Sequence, residues 1–337
     1  MKNRPWTPQN FCLGNNMITT DWQERVRNVA SGIRRRALDF TIKNNGGYLG
    51  QACSSAEIFA ALYTKIMNLG PSRAPMIPPP FTGVPGPHNP NYVTGVAYNG
   101  PKAPHLDRFY LSCVQYAIVL YSTLVEVGRM APEGLEMFNK DGGTVEMIGA
   151  EHSPGHEITS GSLGQGLSQV AGIALGRRLK GETGRQWVFM SDGEFQSGQT
   201  WETIQALCFH RIDNVVVYAD VNGQQCDGKM TDVMNIEPLQ ARLEAFGARV
   251  SSINGHDIEA LAAQAELKPD GRPFFVLAYT NTSEGMEILE ERKPKLHYIR
   301  FKDEEERQRY QSFLDQKFCQ GPGGGFSKEP PGRRRPL

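Results

Sequence analysis

An excess of charge of one sign is the first thing missing: the 337 residues carry 36 Lys plus Arg and 36 Asp plus Glu. Without a net field, nothing concentrates the chain on a nucleic acid or on an anionic membrane, and neither partner is expected. Cysteine is sparse as well. Six residues (Cys12, Cys53, Cys113, Cys208, Cys226 and Cys319) are scattered with no C-x-x-C pair, which suits free thiols in a reducing compartment better than a disulfide framework. No apolar run approaches the ~20 residues a bilayer span needs, and the basic start MKNRPWTPQNFCLGNN is not followed by one. A cytoplasmic protein is the expectation.

What is present organises itself along the chain. Residues 22–43 place apolar positions at helical spacing among Arg and Glu, so an amphipathic helix is expected before the NNGG turn at 44–47, and a second helix over 55–69. A Pro- and Gly-rich insertion then covers 71–105, where proline removes donors and fixes φ. Such a stretch is either a functional, partner-facing loop or a plain surface insertion. From Arg108 onward, apolar segments, glycine turns and helices alternate: FYLSCVQYAIVLYSTLVEVG fits a strand running into a helix, QWVFMSDGE a strand ending in a turn, NVVVYADVNG a short β-branched strand of a buried parallel sheet, and RPFFVLAYTN a further buried strand. Alternation of this kind predicts an α/β fold, a doubly wound and mainly parallel sheet flanked by helices, with ligands at the carboxyl ends of the strands. An N-terminal extension (1–21), one domain (22–318) and a Gly/Pro/Arg-rich disordered tail (319–337) are expected; no internal repeat is found.

The segment SDGEFQSGQTWETIQALCFHRIDNVVVYADVNGQQCDG carries the chemistry. Asp192 follows one strand and Asn222 the next, with a helix between, so both side-chain oxygens come to one edge of the sheet. A carboxylate, an amide oxygen and a nearby backbone carbonyl form a low-charge oxygen set suited to Mg²⁺ that shares its octahedron with phosphate oxygens and water. Gly193 permits a close backbone approach, and the helix starting near Gly198 offers N–H groups to an anion. Taken singly, DG and NG are also ordinary turn dipeptides.

These elements resemble the thiamine diphosphate signature of the transketolase family, in Asp192, Gly193, Glu194, Trp201, Glu202, Asp220, Asn222, Asp227 and Gly228. SGSLGQGLSQVAGIALGRRL (160–179) resembles the family's glycine-rich loop, with Gly161, Leu163 and Gly164 facing the cofactor's aminopyrimidine, while 46–63, 107–121 and 254–257 resemble its active-site turns. The resemblance implies thiamine diphosphate bound through Mg²⁺ (or Ca²⁺ or Mn²⁺) on Asp192, Asn222 and the backbone carbonyl of Gln224, with Gly161, Leu163, Gly164, Gly193, Glu194 and His297 also at the cofactor. It places His297, Gln115, Tyr48 and Glu202 at the reacting end.

There are departures. Where the family carries histidines in its first two turns, this chain has Tyr48 and Gln115, and a family Glu is replaced by Ser197. His152 and His156 stand near the third family histidine at shifted positions, either lining the pocket or solvated. His256 is given no role, and Glu57 is read as an ordinary helical charge. Tyr48 and Gln115 can orient a polar substrate but cannot shuttle protons near neutrality. The family's second domain, which supplies the glutamate that activates the cofactor, is not recognised after His297. The chain is therefore expected to be the N-terminal subunit of a split transketolase, transferring a two-carbon ketol unit from a ketose to an aldehyde and completed by a C-terminal subunit in an α₂β₂ assembly. A 2-oxo acid decarboxylating synthase or lyase subunit, and a catalytically inactive partner subunit, remain the alternatives.

Overall fold

The computed structural model describes residues 21–318, so the expected tail and all but the last residue of the expected extension lie outside the described residues. The chain opens with helices α1 (Trp22–Asn44) and α2 (Leu49–Ala61), the latter running on through a π-helical turn at Leu62–Ile66. Strand β1 (Arg108–Leu111) leads to α3 (Ala117–Glu126) and the single turn α4 (Pro132–Leu135). Helix α5 (Gln165–Leu179) precedes β2 (Gln186–Ser191), and α6 (Gly198–Phe209) precedes β3 (Val215–Val221). A two-residue hairpin, β4 (Gln224–Gln225) and β5 (Gly228–Lys229), is followed by the turn α7 (Met230–Val233) and α8 (Leu239–Ala245). Strand β6 (Arg249–Asn254), α9 (Ile258–Ala265), β7 (Phe274–Tyr279) and α10 (Glu304–Phe318) complete the fold.

Five strands form one sheet in the order β1-β2-β3-β7-β6, and every neighbouring pair is parallel. Successive side chains on a strand point to opposite faces, and the packing obeys this. Phe109, Trp187, Phe189, Val216, Tyr218, Phe274 and Val276 pack with α1, α2, α3 and α9 on one side. Tyr110, Val188, Met190, Val215, Val217, Phe275 and Leu277 pack with α5, α6 and α8 on the other. With both faces covered, strands read as continuous apolar runs. This is the expected doubly wound architecture.

Two elements differ from expectation. Helix α2 starts at Leu49, six residues before the expected Ser55. Twelve of its thirteen residues are buried, Glu57 excepted, so no amphipathic stripe marks its beginning. The insertion over 71–105 holds no strand of the sheet, but its 3₁₀ turn Gly95–Asn99 is packed in: Asn99 Nδ2 donates to Glu157 Oε1 (2.9 Å) and Tyr63 OH donates to Asn99 Oδ1 (3.0 Å). Among the described residues no helix is long and apolar enough to cross a membrane.

Candidate active site

At the carboxyl ends of β2 and β3 lies a cavity of about 270 Å³, walled by the start of α2, the 114–116 turn, the 161–163 loop, Ser191–Gly193, Asn222–Cys226 and His297. Adjacent parallel strands bring its two central groups together, with Ser191 in register with Asp220. Asp192 leaves β2 into a 3₁₀ turn, and its Oδ2 accepts from the backbone N–H of Gly223 just beyond β3 (2.8 Å). Burial, and secondarily the neighbouring charge of Asp220, push the Asp192 carboxyl up to about 8. A buried carboxyl so disfavoured as an anion is stabilised by a cation, and the cavity lining has neither Lys nor Arg.

Asn222 is held rigidly. Its Nδ2 donates to Asp220 Oδ2 (3.0 Å) and to Tyr116 OH (3.1 Å), so the amide oxygen is the atom left toward Gln224, whose N–H it accepts (2.9 Å). Asp220 itself is fully buried and accepts from Ser54 Oγ (2.5 Å), Tyr116 OH (2.8 Å) and Thr280 Oγ1. Among the described residues no group of three or more His, Cys, Asp and Glu could hold a metal. The oxygens on offer are one carboxylate and one fixed amide, a hard, low-charge set that fits Mg²⁺ completed by phosphate. Gly193 adds space: a Cβ there would meet no protein atom nearer than Ser191 Oγ at 3.9 Å, so the glycine keeps cavity volume open rather than serving the protein's own packing. These residues fit a metal-bound diphosphate.

Gly161 and Leu163 also line the cavity. Gly164 does not; it caps α5 in the left-handed region (φ 86°), where a Cβ would come within 2.5 Å of Ser197 Oγ. Glu194, expected at the cofactor, is fully buried and outside the cavity lining. It lies beneath the cavity wall, where Oε1 accepts from Ser112 Oγ (2.5 Å) and Gly164 N (3.2 Å) and Oε2 accepts from Ser191 N (3.2 Å). Glu194 thus ties the glycine loop to the end of β2. Glu202 stands on the exposed face of α6, outside the cavity lining formed by this chain.

Tyr48, Gln115 and His297 all reach the cavity. Gly47 and Ile299 form a β-bridge that joins the first turn to the 297–299 segment, and the Tyr48 ring meets His297 edge-on at 5.4 Å. Burial pushes His297 down and Tyr48 up, so both stay neutral near pH 7. Gln115 Nε2 donates to Ser191 Oγ (3.4 Å). His152 and His156 stay away from the cavity: His152 packs against Phe81 with the rings tilted at 40°, and His156 is buried, its pKa pushed down to about 4. His256 is no idle surface residue. Its Nδ1 lies 2.9 Å from Glu57 Oε2, its Nε2 accepts from Asn281 N (2.9 Å), and Glu57 pairs with buried Arg34. Sequence reasoning passed over Gln51, whose Nε2 lies 2.8 Å from His297 Nδ1; a lone glutamine in a helix carries no signal without the fold.

The family model described as transketolase, thiamine diphosphate binding domain, matches residues 92–313. The chain belongs to the transketolase family. A transketolase family protein of Sinorhizobium fredii is 32% identical over 280 residues, spanning 82% of this chain and 90% of that one. The 6-deoxy-6-sulfo-D-fructose transketolase subunit of a Clostridium species is 28% identical, with 80% and 90% covered. An apulose-4-phosphate transketolase subunit from Actinobacillus succinogenes is 26% identical, with 82% and 91% covered. The crystal structure of Campylobacter jejuni transketolase superposes with a TM-score of 0.66 at 23% identity, covering 86% of this chain but 43% of that one. This last likeness speaks for the fold, and the chain spans less than half the length of that enzyme.

Proposed function

We propose that this chain is the diphosphate-binding subunit of a two-subunit, thiamine diphosphate-dependent transketolase, moving a two-carbon ketol unit from a ketose to an aldehyde in the cytoplasm. The observation that carries the reading is the pairing of Asp192 with a pre-oriented Asn222 at adjacent strand ends, beside the space left by Gly193. Asp192, Asn222 and the Gln224 carbonyl would hold Mg²⁺, with Ca²⁺ or Mn²⁺ able to substitute, and Gly161 and Leu163 would face the pyrimidine. When bound, the cofactor supplies the carbon nucleophile and the electron sink. The chain's own residues position and exclude: Tyr48, Gln115 and His297 offer neutral hydrogen bonds to the substrate, and Glu194 braces the loop against β2.

The two-subunit architecture is supported by relatives named as transketolase subunits whose lengths this chain nearly matches, and by apolar side chains left open near the cavity, Leu163 at 42% and Ile148 at 61% exposure. A C-terminal, pyrimidine-binding subunit in an α₂β₂ assembly would cover them. Calorimetric titration of thiamine diphosphate with Mg²⁺, on the chain alone and with that partner, tests the reading. Tight binding that needs the partner and disappears in Asp192→Ala is expected; no binding in either setting would sink it.

A further inference from the structure

Gln51 is 4% exposed on the third position of α2, lines the cavity beside His297, and places its Nε2 2.8 Å from the ring's Nδ1. An amide nitrogen can only donate, so His297 Nδ1 must accept and the imidazole proton must sit on Nε2. Nε2 finds no acceptor among the described residues. The amide oxygen of Gln51 is buried with no hydrogen-bond partner either, a state that is destabilising unless a ligand donates to it. The pair thus shows the cavity one fixed donor and one fixed acceptor, both uncharged, in a lining where Asp192 is the sole carboxylate and no Lys or Arg occurs.

We infer that Gln51 is a specificity-determining residue: it locks His297 as the Nε2–H tautomer and reads a neutral α-hydroxy ketone, whose carbonyl accepts from His297 Nε2 and whose hydroxyl donates to Gln51 Oε1. The inference rests on the proposed function and names the end of the donor that this chain recognises. It also selects against a 2-oxo acid, because a carboxylate placed where the hydroxyl belongs would face the Gln51 carbonyl lone pairs, with no Lys or Arg in the lining to offset them.

Long-range ¹H–¹⁵N spectra of the full chain, labelled at histidine and assigned with His297→Asn, test both halves without cofactor or partner. Neutral His297 protonated on Nε2 is expected in the wild type. Gln51→Glu, whose carboxylate can only accept, should reverse the tautomer to Nδ1–H. Dihydroxyacetone should shift the His297 signals saturably, with affinity weakened about tenfold in Gln51→Met, roughly one lost hydrogen bond, and pyruvate should not shift them. An Nδ1–H tautomer in the wild type, no response to dihydroxyacetone, an equal response to pyruvate, or a response indifferent to Gln51→Met would each overturn the inference. If the spectra behave as expected while thiamine diphosphate never binds, the proposed function falls and the role of Gln51 stands.

Discussion

Metal affinity should climb steeply with pH, because the carboxyl proposed to hold the cation is protonated in the metal-free chain below about pH 8. Asp192 is pushed up to about 8 by burial and by Asp220, and a metal ligand must be ionised to bind. Its ionised fraction is about 1% at about pH 6 and about half at about pH 8, so apparent affinity should rise about 50-fold between them. The sign of the stability effect is opposite. A folded-state pKa raised above the unfolded 3.8 contributes stability that is full below 3.8 and is lost as pH rises through about 8. The metal-free chain should therefore melt lower at the upper end of this window, and added metal should restore it most there. Mn²⁺ alone is the probe, its free fraction counted by electron paramagnetic resonance, so that titration of the diphosphate does not enter. Asp192→Asn keeps the volume and removes the titrating group, and should bind weakly at every pH. Wild-type affinity constant to within about threefold across the window would refute the argument.

Two glycines should separate folding from binding. Gly164→Ala forces a side chain into the left-handed region and against Ser197, costing about 1–3 kcal/mol in urea unfolding. Gly193→Ala meets no protein atom nearer than 3.9 Å and should leave the melting temperature unchanged while abolishing calorimetric binding of thiamine diphosphate; a stability loss instead would show that the glycine serves the fold. Glu57→Ala strands the buried Arg34 guanidinium and frees His256, and should cost about 3–5 kcal/mol of unfolding free energy, against a loss below about 1 kcal/mol if the network is idle. Glu202→Ala, on the exposed face of α6, should alter neither melting nor Mn²⁺ affinity of the chain alone; a change in either would return Glu202 to the cavity.

The parts of this fold that are legible in the sequence are those where local pattern and tertiary role coincide. Strands β2, β3 and β7 are buried on both faces and read as unbroken apolar runs, and the parallel topology that follows puts Asp192 beside Asn222 without any knowledge of contacts. Helix α2 begins earlier than its pattern suggests because nearly every residue in it is buried, which erases the periodicity a surface helix shows. Where the cavity wall departs from the motif, the physical origin is the same. Motif adjacency is linear, whereas the cavity wall is set by which face of a turn or helix points inward: Glu194 follows Gly193 by one residue yet turns under the wall, and Glu202 sits one residue from Trp201 but on the solvent side of α6. Gln51 is illegible because its importance is a contact across 246 positions with His297.

Exchanging two family histidines for Tyr48 and Gln115 preserves hydrogen bonding while removing groups that titrate near neutrality. The remaining imidazole, His297, is pushed down by burial, and a bound cation would keep Asp192 ionised. With the Cys226 thiol removed as Cys226→Ser, this chain then contributes no group to the lining that changes charge between the ordinary histidine range and about pH 8. For the loaded two-subunit enzyme at saturating metal and cofactor, kcat/KM for a ketose donor should therefore show no limb in that window traceable to this chain: Gln115→Ala should lower it without changing the profile's shape. Restoring a titrating imidazole through Gln115→His should add an acidic limb near the ordinary histidine range. If the Cys226→Ser enzyme already showed a limb there, and His297→Asn removed it, the neutral-pocket argument would fail.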